Sequence, residues 1–118
     1  MKHEEHRSPD GAFILVVSQD DDDITIGFAG FEWHTHGDVL AASYQLVDVT
    51  DLTPEGAAMR FVQDVVSNRA IIAVVKSGNR IRDIWVTDDI EDELRYKQPD
   101  EEIEFRYWDG TDPQQSAG

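Results

Sequence analysis

Two histidines placed two positions apart, His34 and His36, have the clearest capacity for chemistry in this sequence. Side chains two apart on an extended segment point to the same face, so both imidazoles can bind one metal ion. Asp38 continues the spacing and is a candidate third ligand. The sequence therefore offers a candidate metal site, with zinc as the expected ion and hydrolysis as the chemistry that it would support.

The spacing is similar to the His-x-His core of the JAMM-type metalloproteases, in which a Ser and an Asp follow and a Glu lies upstream. Here Ser43 comes one position early, Leu46 stands where the Asp belongs, and the nearest upstream acid is the adjacent Glu32. The alternative is that both histidines lie on the surface or in a cleft beside Trp33. We therefore expect no cofactor and keep a metal-binding or hydrolytic domain as the alternative.

The charge balance limits the class of ligand. The chain has 25 Asp and Glu against 10 Lys and Arg, a formal net charge of −15, and no cysteine. Phosphate binding needs a basic face, so nucleic acid is not an expected ligand. Disulfides and thiolate metal sites are excluded. No run approaches the roughly 18 apolar residues of a membrane span, and no signal peptide is evident, so we expect a cytoplasmic protein.

Acidic residues concentrate in residues 88–104, called here the acidic segment, where nine acids face only Arg95 and Lys97. Such a surface either serves solubility or steers a basic partner. Aromatic residues amid carboxylates are typical of interface anchors, and Trp108 has the strand parity predicted to point outward. The candidate binding residues are acids and aromatics: Glu32, Trp33, Asp88, Asp89, Glu91, Asp92, Glu93, Tyr96 and Trp108.

One amphipathic helix is expected to organise the fold. Thr53 is a good N-cap, Pro54 suits the first helical position, and Asn68 can adopt the left-handed conformation that ends a helix. Apolar side chains recur between them at three- and four-residue spacing, at Ala58, Phe61, Val62, Val65 and Val66. The pattern predicts a helix over residues 54–68 with one buried face.

Apolar runs and alternating patterns predict the strands. Residues 70–75 are apolar on both faces, as in a central strand. Residues 80–87 form the return strand after a turn. Its alternation of apolar and polar residues shifts by one position near Arg82 and Asp83, which predicts a bulge there. Earlier strands are expected over residues 13–17 and 24–28, and a final strand at Ile103, Phe105 and Tyr107. A break at Ala29 and Gly30 would bury Phe31 and Trp33 and turn Glu32, His34 and His36 outward.

These elements predict an α+β fold, a mainly antiparallel sheet of four to six strands with the main helix packed on one face. Residues 1–11 are polar and aperiodic and read as a mobile tail, residues 12–109 as a single domain, and residues 110–118 as a disordered tail. For residues 38–49 we expect a loop with a short element, although a short helix capped by Asp38 is an alternative.

The segment Phe31-Glu32-Trp33-His34-Thr35-His36-Gly37-Asp38, between two strands and a helix in a small acidic chain, resembles the small immunity proteins of bacterial polymorphic toxin systems. The resemblance implies a non-enzymatic cytoplasmic inhibitor that binds a toxin domain, often a basic nuclease. An acidic surface suits that role, because it can occupy a site built for phosphate. A structural homodimer remains a further alternative, and the sequence does not distinguish a monomer from a homodimer.

Overall fold

The computed structural model describes residues 2–21, 23–46, 52–95 and 97–113. Its elements, in chain order, are β1 Lys2–Arg7, β2 Ile14–Asp20, β3 Asp23–Phe28, β4 His34–His36, α1 Gly37–Gln45, α2 Pro54–Val66, β5 Ile71–Ser77, β6 Arg80–Thr87, α3 Ile90–Arg95 and β7 Glu102–Arg106. The strands form two antiparallel sheets, in the orders β1-β2-β3-β4 and β6-β5-β7. The α+β prediction is confirmed, and the strands divide between two sheets rather than joining in one.

Helix α2 is the predicted organising helix. The Thr53 Oγ1 atom accepts a hydrogen bond from the Gly56 N–H at 3.0 Å, and Pro54 is the first helical residue. Asn68 has a φ of 62°, the left-handed conformation expected where the helix ends. The buried side of α2 contacts β3 and α1 through Ala57, Ala58, Phe61, Val62 and Val65.

Strand β5 is the central strand of the second sheet, as its two apolar faces predict. Val75 pairs with Asp83 but the next residue, Lys76, pairs with Ile81, so Arg82 is an extra residue in β6. The predicted bulge is therefore confirmed. It accounts for the change of phase along β6, because the extra residue rotates the strand relative to its partner.

The core lies between the first sheet, helices α1 and α2, and one face of the second sheet. Its most deeply buried side chains come from both sheets and α2: Leu15, Ile26, Val65, Ile72 and Ile84. Within the described ranges, no helix is both long and apolar enough to cross a membrane.

The predicted mobile tail at residues 1–11 is wrong, because residues 2–7 form strand β1. This strand pairs with β2 from Lys2 opposite Gln19 to Arg7 opposite Ile14. Ser8, the residue after β1, is buried, and its Oγ donates a hydrogen bond to Asp10 Oδ1 at 2.7 Å. The sequence of β1 is polar and shows no alternation of apolar residues, so no pattern predicts the strand. It is defined by its backbone hydrogen bonds to β2.

Residues 37–45 form helix α1, where a loop with only a short element was expected. The sequence gives little indication of where this helix begins, because the N-cap residue His36 makes no side-chain capping hydrogen bond. The helix is positioned by packing, since Leu40 is buried and Gly37 lies so close to Pro54 that an added Cβ would stand 2.6 Å from the Pro54 carbonyl oxygen. Residues 47–51, which the same prediction partly covered, lie outside the described residues.

Trp108 is only 4% exposed, so the prediction of an outward-facing Trp108 is wrong. In β7, Arg106 pairs with Ile72 and Glu104 with Val74, and both partners belong to the core-facing side of β5. Glu104 on that face is nevertheless exposed, and Trp108 lies beyond the end of β7 in a turn, so strand parity does not determine which way its side chain points. Beyond β7 the Tyr107 N–H donates to the Thr111 oxygen at 2.9 Å, so the expected disordered tail begins with an ordered turn, and residues 114–118 lie outside the described residues.

Candidate functional site

A groove of about 580 Å³ runs between the two long helices and the second sheet, and we call it the acidic groove. Its apolar lining comes from α1, α2, β6 and the start of β5: Leu40, Phe61, Val86 and Ile71. Its charged rim carries Asp64 on α2 with its ion-pair partner Arg69, then Asp88 and Glu93 from the acidic segment. The groove therefore combines an apolar floor with carboxylates at its edge.

Tyr44 and Asp64 are joined across this groove. The Tyr44 hydroxyl donates to Asp64 Oδ2 at 3.0 Å, and Arg69 Nε lies 3.2 Å from the other oxygen of that carboxylate. The Arg60 guanidinium stands 5.5 Å from the Tyr44 ring centroid. The pKa of Tyr44 is raised to about 12, mainly by burial of the phenol and secondly by its hydrogen bond to Asp64. The phenol is therefore a neutral donor at physiological pH.

The carboxylates of the acidic segment divide into two groups. In its second half, Glu101 pairs with Arg82 and Glu104 with Lys76, each at 3.0 Å. In its first half Asp92 alone has a cation partner, Arg95 at 3.5 Å. Within the described part of the chain, Asp88, Asp89, Glu91 and Glu93 make no ion pair with Lys or Arg. Asp100 and Glu102 in the second half also make no ion pair among the described residues, so unpaired carboxylates occur in both halves, and Asp88 and Glu93 are the ones that border the groove.

The predicted tryptophan anchors that the structure describes, Trp33 and Trp108, do not line the acidic groove. Trp33 is half-buried, with its ring centroid 6.1 Å from that of Phe28 and 6.5 Å from that of Phe61, so it packs on the core. Glu32 is exposed beside it, away from the acidic groove. Tyr96 lies outside the described residues. Binding at the acidic segment has to rely on the apolar floor of the groove rather than on a protruding tryptophan.

The two candidate metal ligands of strand β4 lie near each other, with ring centroids 5.1 Å apart. His34 donates from Nδ1 to the Glu32 backbone oxygen at 3.0 Å, and His36 from Nδ1 to Asp23 Oδ1 at 3.1 Å. Asp38 instead accepts a hydrogen bond from the Val39 N–H in the first turn of α1. Over the ranges that the structure describes, no three His, Asp or Glu side chains are grouped to hold a metal, and the expected three-ligand set of His34, His36 and Asp38 is not assembled.

Sequence reasoning placed Asp88 and Glu93 in the site and missed Tyr44 and Asp64. A helical interpretation of residues 37–45 would have put Leu40 and Tyr44 one turn apart on the same face. Asp64 gave no such signal, because it lies on the polar side of an amphipathic helix like any solvated acid. Comparison of the chain with protein-family models, curated proteins and solved structures gives no match.

Proposed function

We propose that this chain is a non-enzymatic binding protein that recognises a basic protein surface through the acidic groove. The observation that carries the proposal is the position of Asp88 and Glu93, two carboxylates without a cation partner among the described residues, at the rim of an apolar floor. A lysine or arginine side chain has a matching construction, because its aliphatic stem packs on apolar surface while its charge meets a carboxylate.

The resemblance to immunity proteins narrows the proposal to a partner class. The partner is a basic toxin domain of the nuclease type, and this chain blocks it in the cytoplasm by covering its phosphate-binding surface. Charge complementarity between the two surfaces would accelerate their association more than it would slow their dissociation.

The experiment measures association of this protein with the product of the gene adjacent to its own. Stopped-flow fluorescence gives the association rate at about 50 mM and about 500 mM NaCl, conditions that shorten the Debye length from roughly 14 to 4 Å. We expect the rate to fall about tenfold or more across that range. A rate that does not change with salt contradicts electrostatic recognition.

A matched pair of variants localises the effect. Asp88→Asn with Glu93→Gln removes two charges at the groove, and Asp20→Asn with Asp21→Asn removes two charges at the β2 end, outside it. We expect the groove variant to lower the low-salt association rate about fivefold and the control variant to lower it less than twofold. Equal effects would show that net charge acts without any contribution from the groove.

A further inference from the structure

A second, smaller cavity lies on the opposite side of α2, between that helix and the edge strand β1. Its volume is about 260 Å³. Val17 and Ile24 from the first sheet, with Ala58 and Val62 from α2, form an apolar floor. Met59, which is 70% exposed, stands at the mouth. We call this cavity the β1 pocket.

Strand β1 contributes two polar side chains to the β1 pocket, because alternate residues of a strand point to the same face. Glu4 pairs with Val17 and His6 with Leu15, so both side chains lie on the inner face of the first sheet. His3 and Glu5 alternate with them and lie on the outer face. From the other wall α2 contributes Glu55 and Gln63, two turns apart along one side of the helix.

One buried atom in the β1 pocket has no hydrogen-bond partner. His6 Nε2 is inaccessible to solvent, although 35% of the His6 side chain is exposed, and no described residue bonds it. The nearest carboxylate oxygen, Glu4 Oε2, is 3.6 Å away, too far for a hydrogen bond. Because this nitrogen is closed to solvent, the groups of the pocket that can accept from a ligand are its carboxylates rather than the imidazole.

The chemistry of the lining specifies the ligand. Gln19 donates its amide N–H to Glu55 Oε1 at 3.2 Å, so one donor of that amide is engaged. The acceptors that remain are the Glu4 carboxylate and the second Glu55 oxygen, and the lining contains no Lys or Arg. We infer that the β1 pocket binds a small organic ammonium ion with an apolar body, whose N–H groups are accepted by the Glu4 and Glu55 carboxylates.

Two-dimensional amide NMR titration tests this inference with three probes that share one apolar body. Phenethylamine carries the ammonium group, phenethyl alcohol is neutral, and phenylacetate is an anion. We expect phenethylamine to shift the amides of the pocket-lining residues on β1 and α2 and to bind at least about tenfold more tightly than the alcohol, with no binding of the anion. Equal affinities of amine and alcohol, or shifts confined to the acidic segment, overturn the inference.

The alternation of β1 supplies matched variants. Glu4→Gln is expected to weaken phenethylamine binding about fivefold or more, while Glu5→Gln, one residue along on the outer face, changes it by less than about twofold. Glu55→Gln on α2 is expected to weaken binding as Glu4→Gln does, and it gives an independent reading if the β1 variant does not fold. Equal losses in Glu4→Gln and Glu5→Gln, or full binding by Glu55→Gln, contradict the assignment.

Discussion

Two regions of this molecule use carboxylates in opposite ways. At the end of β7, Asp10 Oδ2 lies 2.7 Å from Arg106 Nη1, and the same guanidinium covers the Phe13 ring at 4.4 Å from its centroid. At the acidic groove, Asp88 and Glu93 make no ion pair within the described ranges. We call the first region, formed by Asp10, Phe13 and Arg106, the Arg106 junction.

The difference shows that a large negative charge does not by itself mark a binding surface. An acid that is hydrogen-bonded to a cation contributes to folding stability and is not available to a partner. An unpaired acid adds repulsion within a chain of charge −15, and it is free to attract a cation. Four variants would sharpen or break this distinction, from the largest to the smallest expected effect on the free energy of unfolding.

Arg106→Ala is expected to lower the free energy of unfolding by about 3 kcal/mol. The side chain is only 16% exposed and donates to the Tyr107 and Trp108 backbone oxygens as well as to Asp10. Urea denaturation followed by tryptophan fluorescence measures the change. Arg95→Ala is the control, since both side chains of its pair with Asp92 are exposed and the pair should contribute less than about 1 kcal/mol. Similar losses would show that the Arg106 junction is not special.

Asp10→Asn is expected to lower the free energy of unfolding by about 1.5 kcal/mol at neutral pH. The Arg106 hydrogen bond, with help from Ser8, holds the pKa of Asp10 well below its ordinary value. A carboxyl whose pKa is lowered by folding stabilises above its unfolded-state pKa, near 4, and the contribution is lost as pH falls below that value. Urea denaturation from neutral to acid pH should therefore show a shallower acid decline for the variant than for Asp100→Asn, and parallel declines would contradict the assignment.

Tyr44→Phe is expected to lower the free energy of unfolding by about 1 kcal/mol, because it leaves Asp64 without the phenol donor. Tyr107→Phe is the control, as no side-chain hydrogen bond to a described residue is broken by it. Because the pKa of Tyr44 is raised to about 12, absorbance titration should lose its most alkaline phenol in the Tyr44 variant alone. The corresponding stability is present below pH about 10 and falls as the pH rises above it. If the Tyr44 variant instead loses a phenol that titrates at the ordinary pKa, the result contradicts the buried pair of Tyr44 and Asp64.

Asp88→Asn combined with Glu93→Gln is expected to raise the free energy of unfolding slightly, by about 0.3 kcal/mol, because it relieves repulsion between unpaired acids. The sign is opposite to that of Asp10→Asn, and this contrast is the sharpest test of the two regions. Thermal unfolding with and without added salt measures it, since salt should shrink the gain. Destabilisation by the double variant would mean that these carboxylates have structural partners.

The parts of the fold that could be predicted are those whose signals are local. The cap at Thr53, the left-handed Asn68 and the stripe between them define α2 without reference to any other element. The phase change at Arg82 predicted its bulge for the same reason, since a strand that keeps one buried face needs an extra residue where its alternation shifts. For the site, the sequence identified Asp88 and Glu93 by their density of charge.

The parts that could not be predicted depend on which surfaces meet. The sequence of β1 is polar throughout, and only the free edge of β2 makes it a strand. Trp108 lies just beyond β7, and it is buried because it joins the core cluster that contains Phe13, from the connection between β1 and β2. The acidic groove needs Tyr44 and Asp64, which lie 20 residues apart and meet through packing of α1 on α2.

The amino-acid sequence by itself determined the α+β class, the main helix, the central hairpin and the surplus of negative charge, because capping, periodicity and composition act over a few residues. Tertiary structure alone decided which carboxylates are neutralised and which remain unpaired. That choice depends on distances of a few ångströms between residues far apart in the chain, and no local pattern encodes them.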